Sequence, residues 1–356
     1  MNHLNAITAQ LDAYQLDALC ITSEPGEFYA VGVKGEGLVL VTRQGCHYFT
    51  DSRYIELAQN TVANAAVTMV TPQQDHLALA SQVLAHHHLN RVGIEEQYLT
   101  VERWQKMQAA FPEGTELVPA GKLVTELRGS KTEEELAIMQ KAQDITDQVF
   151  EEICAFLRPG VTESEVAAQL TYLQMKHGAE GNSFPPIVAS GANGSMPHAI
   201  PGAKPLRPGE FVTMDFGCVY QGYCSDMTRT VAIGYATDEM KNIYNIVLEA
   251  QLAGIAAARA GIPGYEIDAA ARNVITKAGY GQYFGHGFGH SLGLDIHELP
   301  GANLSGKAIM PVGCAVSAEP GIYIPGKFGV RIEDVMILHE NGAEVITKAP
   351  KQLTIL

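Results

Sequence analysis

The residues able to do chemistry together first appear in the stretch GEFVTMDFGCVYQGYCSDMTRT, residues 209–230. It reads as two strands joined at Gln221-Gly222, with one aspartate on each, Asp215 and Asp226. A two-residue hairpin loop there pairs residues whose numbers sum to 443, and the two aspartates sum to 441. They are therefore diagonal cross-strand neighbours on one face, within reach of a shared ligand. A slip of two residues keeps them together, and only an odd slip separates them. Carboxylates so placed repel each other unless a cation, a proton or an arginine intervenes. Such a pair alone is commonly one solvated aspartate and one turn residue, so the rest of the chain decides.

An internal repeat begins at Lys131. Thr132-x-x-Glu135 is a capping box opening a helix with an apolar stripe at Leu136, Met139, Ala142, Ile145, Val149, Ile153 and Phe156. Pro159-Gly160 breaks it, and a second box, Thr162-x-x-Glu165, opens a helix ending at Gly178. A strand-like segment at 184–189 and the aspartate hairpin follow. The same order then recurs: a helix from Thr237, a break at Pro263-Gly264, a helix to Gly279, a strand-like segment at 282–290 and a second hairpin. Pro159 and Pro263 lie 104 apart, as do Gly209 and Gly313, and Gly217 and Gly321. In that register GEFVTMDFG lies over GCAVSAEPG, and Asp215 falls on Glu319. The second hairpin continues through IYIPGKFGVRIEDV and brings Glu333 near the place of Asp226. The expectation is two similar halves, each giving a carboxylate pair to one central cavity.

Four converging carboxylates cannot all stay ionised in a core without cations, and two divalent metals would balance them. An imidazole often completes such a shell, and GHGFGHSLGLDIH offers His286, His290 and His297. Its glycine spacing is not the helical HExxH of zinc proteases. His290 falls on Pro186 in the repeat register, which places it near the site. Oxygen-rich ligation with one nitrogen suits hard ions, Mn²⁺ before Zn²⁺, with Co²⁺ workable. Two such ions hold a bridging water, lower its pKa and favour hydrolysis of an amide or ester. Arg331, two residues before Glu333, is expected to orient that carboxylate. His198, in the loop ASGANGSMPHAIP, and His297 are expected to bind substrate or stabilise a developing oxyanion.

Bulk properties narrow the class. With 356 residues the chain has room for two domains, and 46% hydrophobic with 18% charged residues is ordinary for a soluble protein with a sizeable core. A net charge of −15 argues against nucleic acid or an anionic membrane as partner. The six cysteines form no CxxC pair and read as reduced thiols of a cytoplasmic protein. No secretory signal is visible, and no run approaches the about 18 apolar residues of a membrane span. Residues 1–125 alternate helix-like segments (4–14, 74–87, 100–110) with strand-like ones (18–22, 37–42, 46–50, 67–70, 91–95), the pattern of a small α/β domain. The triplet His86-His87-His88 reads as a surface tract, because adjacent helical residues point different ways. The junction is expected near 123–131, where TELRGSK breaks the pattern.

The stretches MDFGCVYQGYCSDMTRT, GHGFGHSLGLDIHE, SAEPGIYIPG and VRIEDV closely resemble the pita-bread metallopeptidases: aminopeptidase P, prolidase and methionine aminopeptidase. The resemblance covers residues 128–356 and implies an α+β pita-bread catalytic domain with two pseudo-symmetric halves, preceded by a creatinase-like α/β domain at 1–125. It implies Asp215 as a bidentate ligand of one metal, Asp226 and Glu333 as bridges, and His290 with Glu319 completing the other. It makes Glu319 the proton shuttle, gives His198 and His297 substrate contacts, and leaves His286 and Arg331 in support. An N-terminal domain of this kind points to the Xaa-Pro peptidases, acting on an Xaa-Pro dipeptide or short peptide, and to a homodimer. Creatinase is disfavoured because it lacks the metal ligands. Some similar prolidases hold the dipeptide carboxylate with an arginine between the second histidine and the first glutamate of the site. From His297 to Glu319 this chain has no arginine, and Lys307 is the sole cation. Two alternatives stand beside the Xaa-Pro reading: an aminopeptidase of other specificity, such as methionine, and a non-catalytic binding module on the same fold.

Overall fold

The structure is a computed structural model that describes residues 3–356, and the chain divides into two compact units, Met1–Arg128 and Gly129–Leu356. Among the described residues no helix is long and apolar enough to cross a membrane.

The first unit is built on a six-stranded sheet in the order Ala66–Met69, Cys46–Thr50, Leu38–Thr42, Ala18–Ile21, Arg91–Ile94, Glu116–Pro119. The expected hairpin is present, with Val41 paired to Cys46, and the outer strand pairs are parallel. Parallel strands need crossovers, and helices Ile55–Thr61 and Val101–Ala110 supply them for these two pairs. Helices Glu24–Val31 and Ile55–Thr61 and the last strand carry too little periodicity to have been anticipated. The units divide after Arg128, inside the stretch 123–131 where the junction was expected, although part of TELRGSK is helical. Residues 121–129 form a helix, Gly121–Gly129, in which Leu123 and Val124 are buried.

In the second unit the repeat is visible element by element. Helices Glu133–Phe156 and Glu163–Lys176 precede a three-stranded sheet ordered Met227–Ala232, Phe211–Phe216, Ile187–Ser190. Helices Asp238–Ala257 and Gly264–Lys277 precede a five-stranded sheet whose matching strands are Asp334–His339, Ala315–Ala318 and Gly289–Ser291. Both expected capping boxes are closed, Thr132 with Glu135 and Thr162 with Glu165. Each helix pair packs its apolar face on its own sheet, giving two cores, one around Met214, Val231 and Ile153 and one around Val316, Met336 and Val247.

The aspartate hairpin has the expected register but not the expected continuity. Val219 pairs with Cys224 and Thr228 with Asp215, both summing to 443. Gln221 (φ 45°) and Gly222 (φ 82°) form a turn with two left-handed residues, which suits the twist of the flanking strands. The ladder is nevertheless cut in two by Gly217 on one side and Ser225-Asp226 on the other, so four short strands replace two long ones. At the cut the backbones approach so closely that a Cβ on Gly217 would sit 2.0 Å from the Ser225 carbonyl oxygen. Glu319-Pro320 and Ile332-Glu333 interrupt the second hairpin in the same way. Asp226, Glu319 and Glu333 thus leave the ladder where the strands bend, whereas Asp215 stays within its ladder, paired with Thr228 and Ile187. The segment 282–290 is a correction. It forms a short 3₁₀ turn, Gly281–Tyr283, and joins a sheet only at Gly289–Ser291. Its carbonyls at Phe284 and His286 accept from Arg272 instead of from a neighbouring strand.

Candidate metal centre

Asp226, His290 and Glu333 each offer a ligand atom, and the three atoms lie within 4.8 Å of one another. His290 Nε2 is 3.5 Å from Asp226 Oδ2 and 3.3 Å from Glu319 Oε1. The other ring nitrogen, Nδ1, lies 3.1 Å from the Ser291 carbonyl oxygen, which can only accept. That contact puts the proton on Nδ1 and turns the Nε2 lone pair toward two carboxylates. Such an arrangement is repulsive until a cation stands between them.

Asp215 is held from the other half. Arg331 donates to Asp215 Oδ2 at 2.6 Å, to the Tyr323 hydroxyl at 2.8 Å and to Thr228 Oγ1 at 2.9 Å. Thr228 in turn donates to Glu333 Oε2 at 2.6 Å. Arg331 therefore orients Asp215 directly and reaches Glu333 only through Thr228, which corrects the expectation of a direct contact with Glu333. Since Tyr323 accepts from Arg331, its own hydroxyl donates to His286 Nε2 at 2.8 Å. His286 Nδ1 faces the Gly287 carbonyl oxygen at 2.9 Å, so the ring is neutral and fixed at both nitrogens.

Burial dominates the electrostatics. The carboxyls of Asp226 and Glu333 are pushed well above the ordinary range by loss of water, then by neighbouring carboxylates: Asp215 and Glu319 for Asp226, and Asp226, Glu319 and Asp215 for Glu333. Glu319 is raised by burial, which His286 and Arg331 only partly offset. Burial holds His290, His286 and His297 below the usual imidazole value. For Arg331 burial opposes the charge, but Tyr323, Asp215, Glu319 and Glu333 outweigh it and the guanidinium is held above its ordinary value.

The residues fit divalent cations on one direct observation. Asp215 Oδ1, Asp226 Oδ1 and Glu333 Oε1 are buried and have no hydrogen-bond partner among the described residues. An orphaned buried carboxylate oxygen costs several kcal/mol, on the order expected for a buried ion, unless a cation takes it. Each of these carboxylates has its second oxygen placed against Arg331, His290 or Thr228. The orphaned oxygens are thus the three left to face a cation.

A cavity of about 870 Å³ opens over this cluster. All nine residues singled out in the sequence line it: His198, Asp215, Asp226, His286, His290, His297, Glu319, Arg331 and Glu333. The histidine ring of His297 stacks edge-on against His290 with centroids 4.3 Å apart. Lys307 is not among the lining residues; Asn303, at the start of the same turn, is. Sequence reasoning missed Thr228, Tyr323 and Ser317, whose hydroxyl donates to Glu319 Oε1 at 3.1 Å. Thr228 could have been found, because the 443 rule puts it directly opposite Asp215. Tyr323 carried no such signal. The His86-His87-His88 tract joins no potential metal group among the described residues.

Comparison with known proteins now decides the family. Residues 137–340 match the model of metallopeptidase family M24, and residues 3–129 match that of the creatinase/prolidase N-terminal domain. The chain belongs to metallopeptidase family M24. It is 39% identical over 342 residues to the uncharacterized peptidase YqhT of Bacillus subtilis, covering 96% of each chain. It superposes on a Xaa-Pro dipeptidase from Bacillus anthracis with a TM-score of 0.96 and 40% identity over 99% of both chains. An X-Pro aminopeptidase from Thermotoga maritima matches with a TM-score of 0.92 and 32% identity over 100% of both. The second unit thus has the pita-bread fold, and membership in the family implies an enzyme that uses divalent metal ions.

Proposed function

We propose that this protein is a two-metal exopeptidase that cleaves the bond between an N-terminal residue and proline. The observation carrying the reading is the set of orphaned carboxylate oxygens, Asp215 Oδ1, Asp226 Oδ1 and Glu333 Oε1, beside the free Nε2 of His290. In this reading Asp215, Asp226, His290, Glu319 and Glu333 would hold the two ions. Bound divalent ions, Mn²⁺ by the oxygen-rich donor set with Co²⁺ or Zn²⁺ able to replace it, activate water and polarise the scissile carbonyl.

The chain's own residues do the rest. Glu319, raised by burial and held by Ser317, takes a proton on its carboxylate and passes it to the leaving proline nitrogen. His198 and His297 donate to the carbonyl oxygen as charge develops on it. Arg331 keeps Asp215 in place, and Tyr323 keeps His286 neutral and oriented. The cavity wall made by Phe184, Pro185, Pro186, Ile187 and Pro197 offers apolar surface to a pyrrolidine ring. Among the described residues the single Lys or Arg on the lining is Arg331, already committed to Asp215, Tyr323 and Thr228. A free C-terminal carboxylate finds no spare cation there, which supports cleavage of Xaa-Pro-Yaa peptides as well as dipeptides. Assembly as a homodimer belongs to the same reading through the family resemblance, and sedimentation checks it.

The test strips the protein of metal, restores Mn²⁺ and compares Xaa-Pro, Xaa-Pro-Yaa and Xaa-Ala-Yaa for release of the first residue. Both proline substrates should be cut and the alanine one spared. Cutting the dipeptide alone would limit the enzyme to a prolidase. Failure on all three with metal bound would overturn the proline reading, and a methionine-initiated peptide would come next.

A further inference from the structure

Three buried carboxylates outside the metal cluster sit behind the cavity wall, and each holds the segment that carries one of its histidines. Glu163 is fully buried and opens helix Glu163–Lys176, yet Thr162 and Glu165 do the capping, so its own carboxylate is available elsewhere. It accepts from the Ser190 amide at 2.7 Å, the Ser190 hydroxyl at 2.8 Å, the Asn193 side chain at 3.1 Å and the Gly202 amide at 3.3 Å. Lys204 adds a tie from the far end of the loop to Ser190 Oγ at 2.6 Å. Both ends of the loop are thereby drawn onto one carboxylate, and the exposed His198 stands on the short arc between them.

Asp268, on the matching helix Gly264–Lys277 of the other half, does comparable work although it is not the residue in register with Glu163. It is fully buried, accepts from the Phe288 amide at 2.9 Å and pairs with Arg272 at 2.7 Å. Arg272 donates to the carbonyls of Phe284 and His286, so the ring of His286 hangs on a segment fixed on both sides. Glu298 does the same for His297. It accepts from the amides of Leu294 and Asp295 at 2.9 and 3.2 Å and from Lys131 at 2.9 Å.

We propose that Glu163 is the positioning residue of His198, and Glu298 that of His297, each setting where its histidine meets the substrate. The inference rests on the reading that these two histidines contact the substrate. Its physical basis is entropic. A loop of about ten residues with one end released loses its single closed geometry, and a misplacement of about 1 Å costs up to about 10²-fold in rate. A carboxylate with four donors outperforms an amide, because a glutamine oxygen accepts fewer and weaker bonds and its NH₂ must face donors.

The experiment is a crossed double-mutant cycle on the Mn²⁺-loaded enzyme. Glu163→Gln should lower kcat/KM on Xaa-Pro-Yaa about tenfold in the wild-type background and less than twofold when His198 is already alanine. In the His297→Ala background the full tenfold loss should persist, and Glu298→Gln should show the opposite dependence. Amide exchange in the metal-free protein should quicken across 194–201 in Glu163→Gln and stay unchanged at 284–288. Equal losses in all backgrounds, or exchange that quickens everywhere, would reduce Glu163 to a fold anchor and overturn the proposal. If Glu163→Gln does not fold, Asn193→Ala removes one donor, leaves the acid in place, and must show the same dependence on His198. Wild-type cleavage is measured first: an enzyme inactive on proline peptides refutes the functional reading, whereas an active one with no His198 coupling refutes only this inference.

Discussion

The two halves of the catalytic unit share an order of elements but not a register, and the difference shows what the repeat is for. In the first half a two-residue turn makes paired residues sum to 443, leaving Asp215 and Asp226 diagonal. In the second, Ile324 pairs with Phe328 across a three-residue loop, and Ala318 pairs with Asp334, both summing to 652. Glu319 and Glu333 also sum to 652 and fall at the break in their ladder, where their amides donate instead to Phe288 and Thr228. Short aspartates on one side and longer glutamates on the other bring four carboxylates into one cluster although the hairpins are not superimposable.

Each half also sends an arginine into the other, with opposite consequences. Arg331 crosses from the second half to Asp215 inside the cavity. Arg229 crosses from the first half, away from the cavity, to Asp334 at 2.7 Å and to the carbonyls of Glu333, Ala349 and Pro350. One crossing arginine thus orients a cavity carboxylate, and the other clamps the sheet and the C-terminal segment.

Breaking the site should have the largest effect on activity. Glu319→Gln should leave the fold intact and lower kcat by about 10³-fold, in the range of a lost acid–base group. Single-turnover assays at saturating Mn²⁺ check it, and an active variant would remove Glu319 from proton transfer. Breaking the clamp should tell on stability instead. Arg229→Leu strands Asp334 and the carbonyls of Glu333, Ala349 and Pro350 and should cost about 3–5 kcal/mol in urea unfolding. A smaller loss would mean that Lys351, which also pairs with Asp334, carries the charge alone.

The smallest effect is in pH. In the metal-free protein the folded-state carboxyls of Asp226 and Glu333 are raised above their unfolded values near about 4. The folded state then holds more protons than the unfolded one, so stability falls as pH rises past about 4. Glu333→Gln removes one such group. Metal-free, its melting temperature should exceed that of the wild type at pH 8, and the gap should close toward pH 5. A gap that is constant with pH would show that the carboxyl is ionised throughout.

Much of this was legible in the sequence because it is local or periodic. The Gln221-Gly222 turn fixed the register by chemistry that needs no tertiary context, and parity carried it to Asp215 and Asp226. Helix caps and Pro-Gly breaks marked the repeat. The strand anticipated at 282–290 failed because alternating Gly and Phe mimic a strand, while Arg272, ten or more residues away, takes the carbonyls. Arg331 was assigned to the nearer acid, since nothing in sequence spacing distinguishes Glu333 from an aspartate 116 residues away. Glu163 and Glu298 escaped notice for the same reason: their partners are set by the fold.

The central claim is that carboxylates from both halves share two cations. Metal counting on the loaded protein tests it most directly, comparing wild type with Asp226→Asn. The account predicts two Mn²⁺ per chain, falling to one or none when Asp226 loses its charge. Two ions still bound in the variant, or one in the wild type at saturating Mn²⁺, would contradict it.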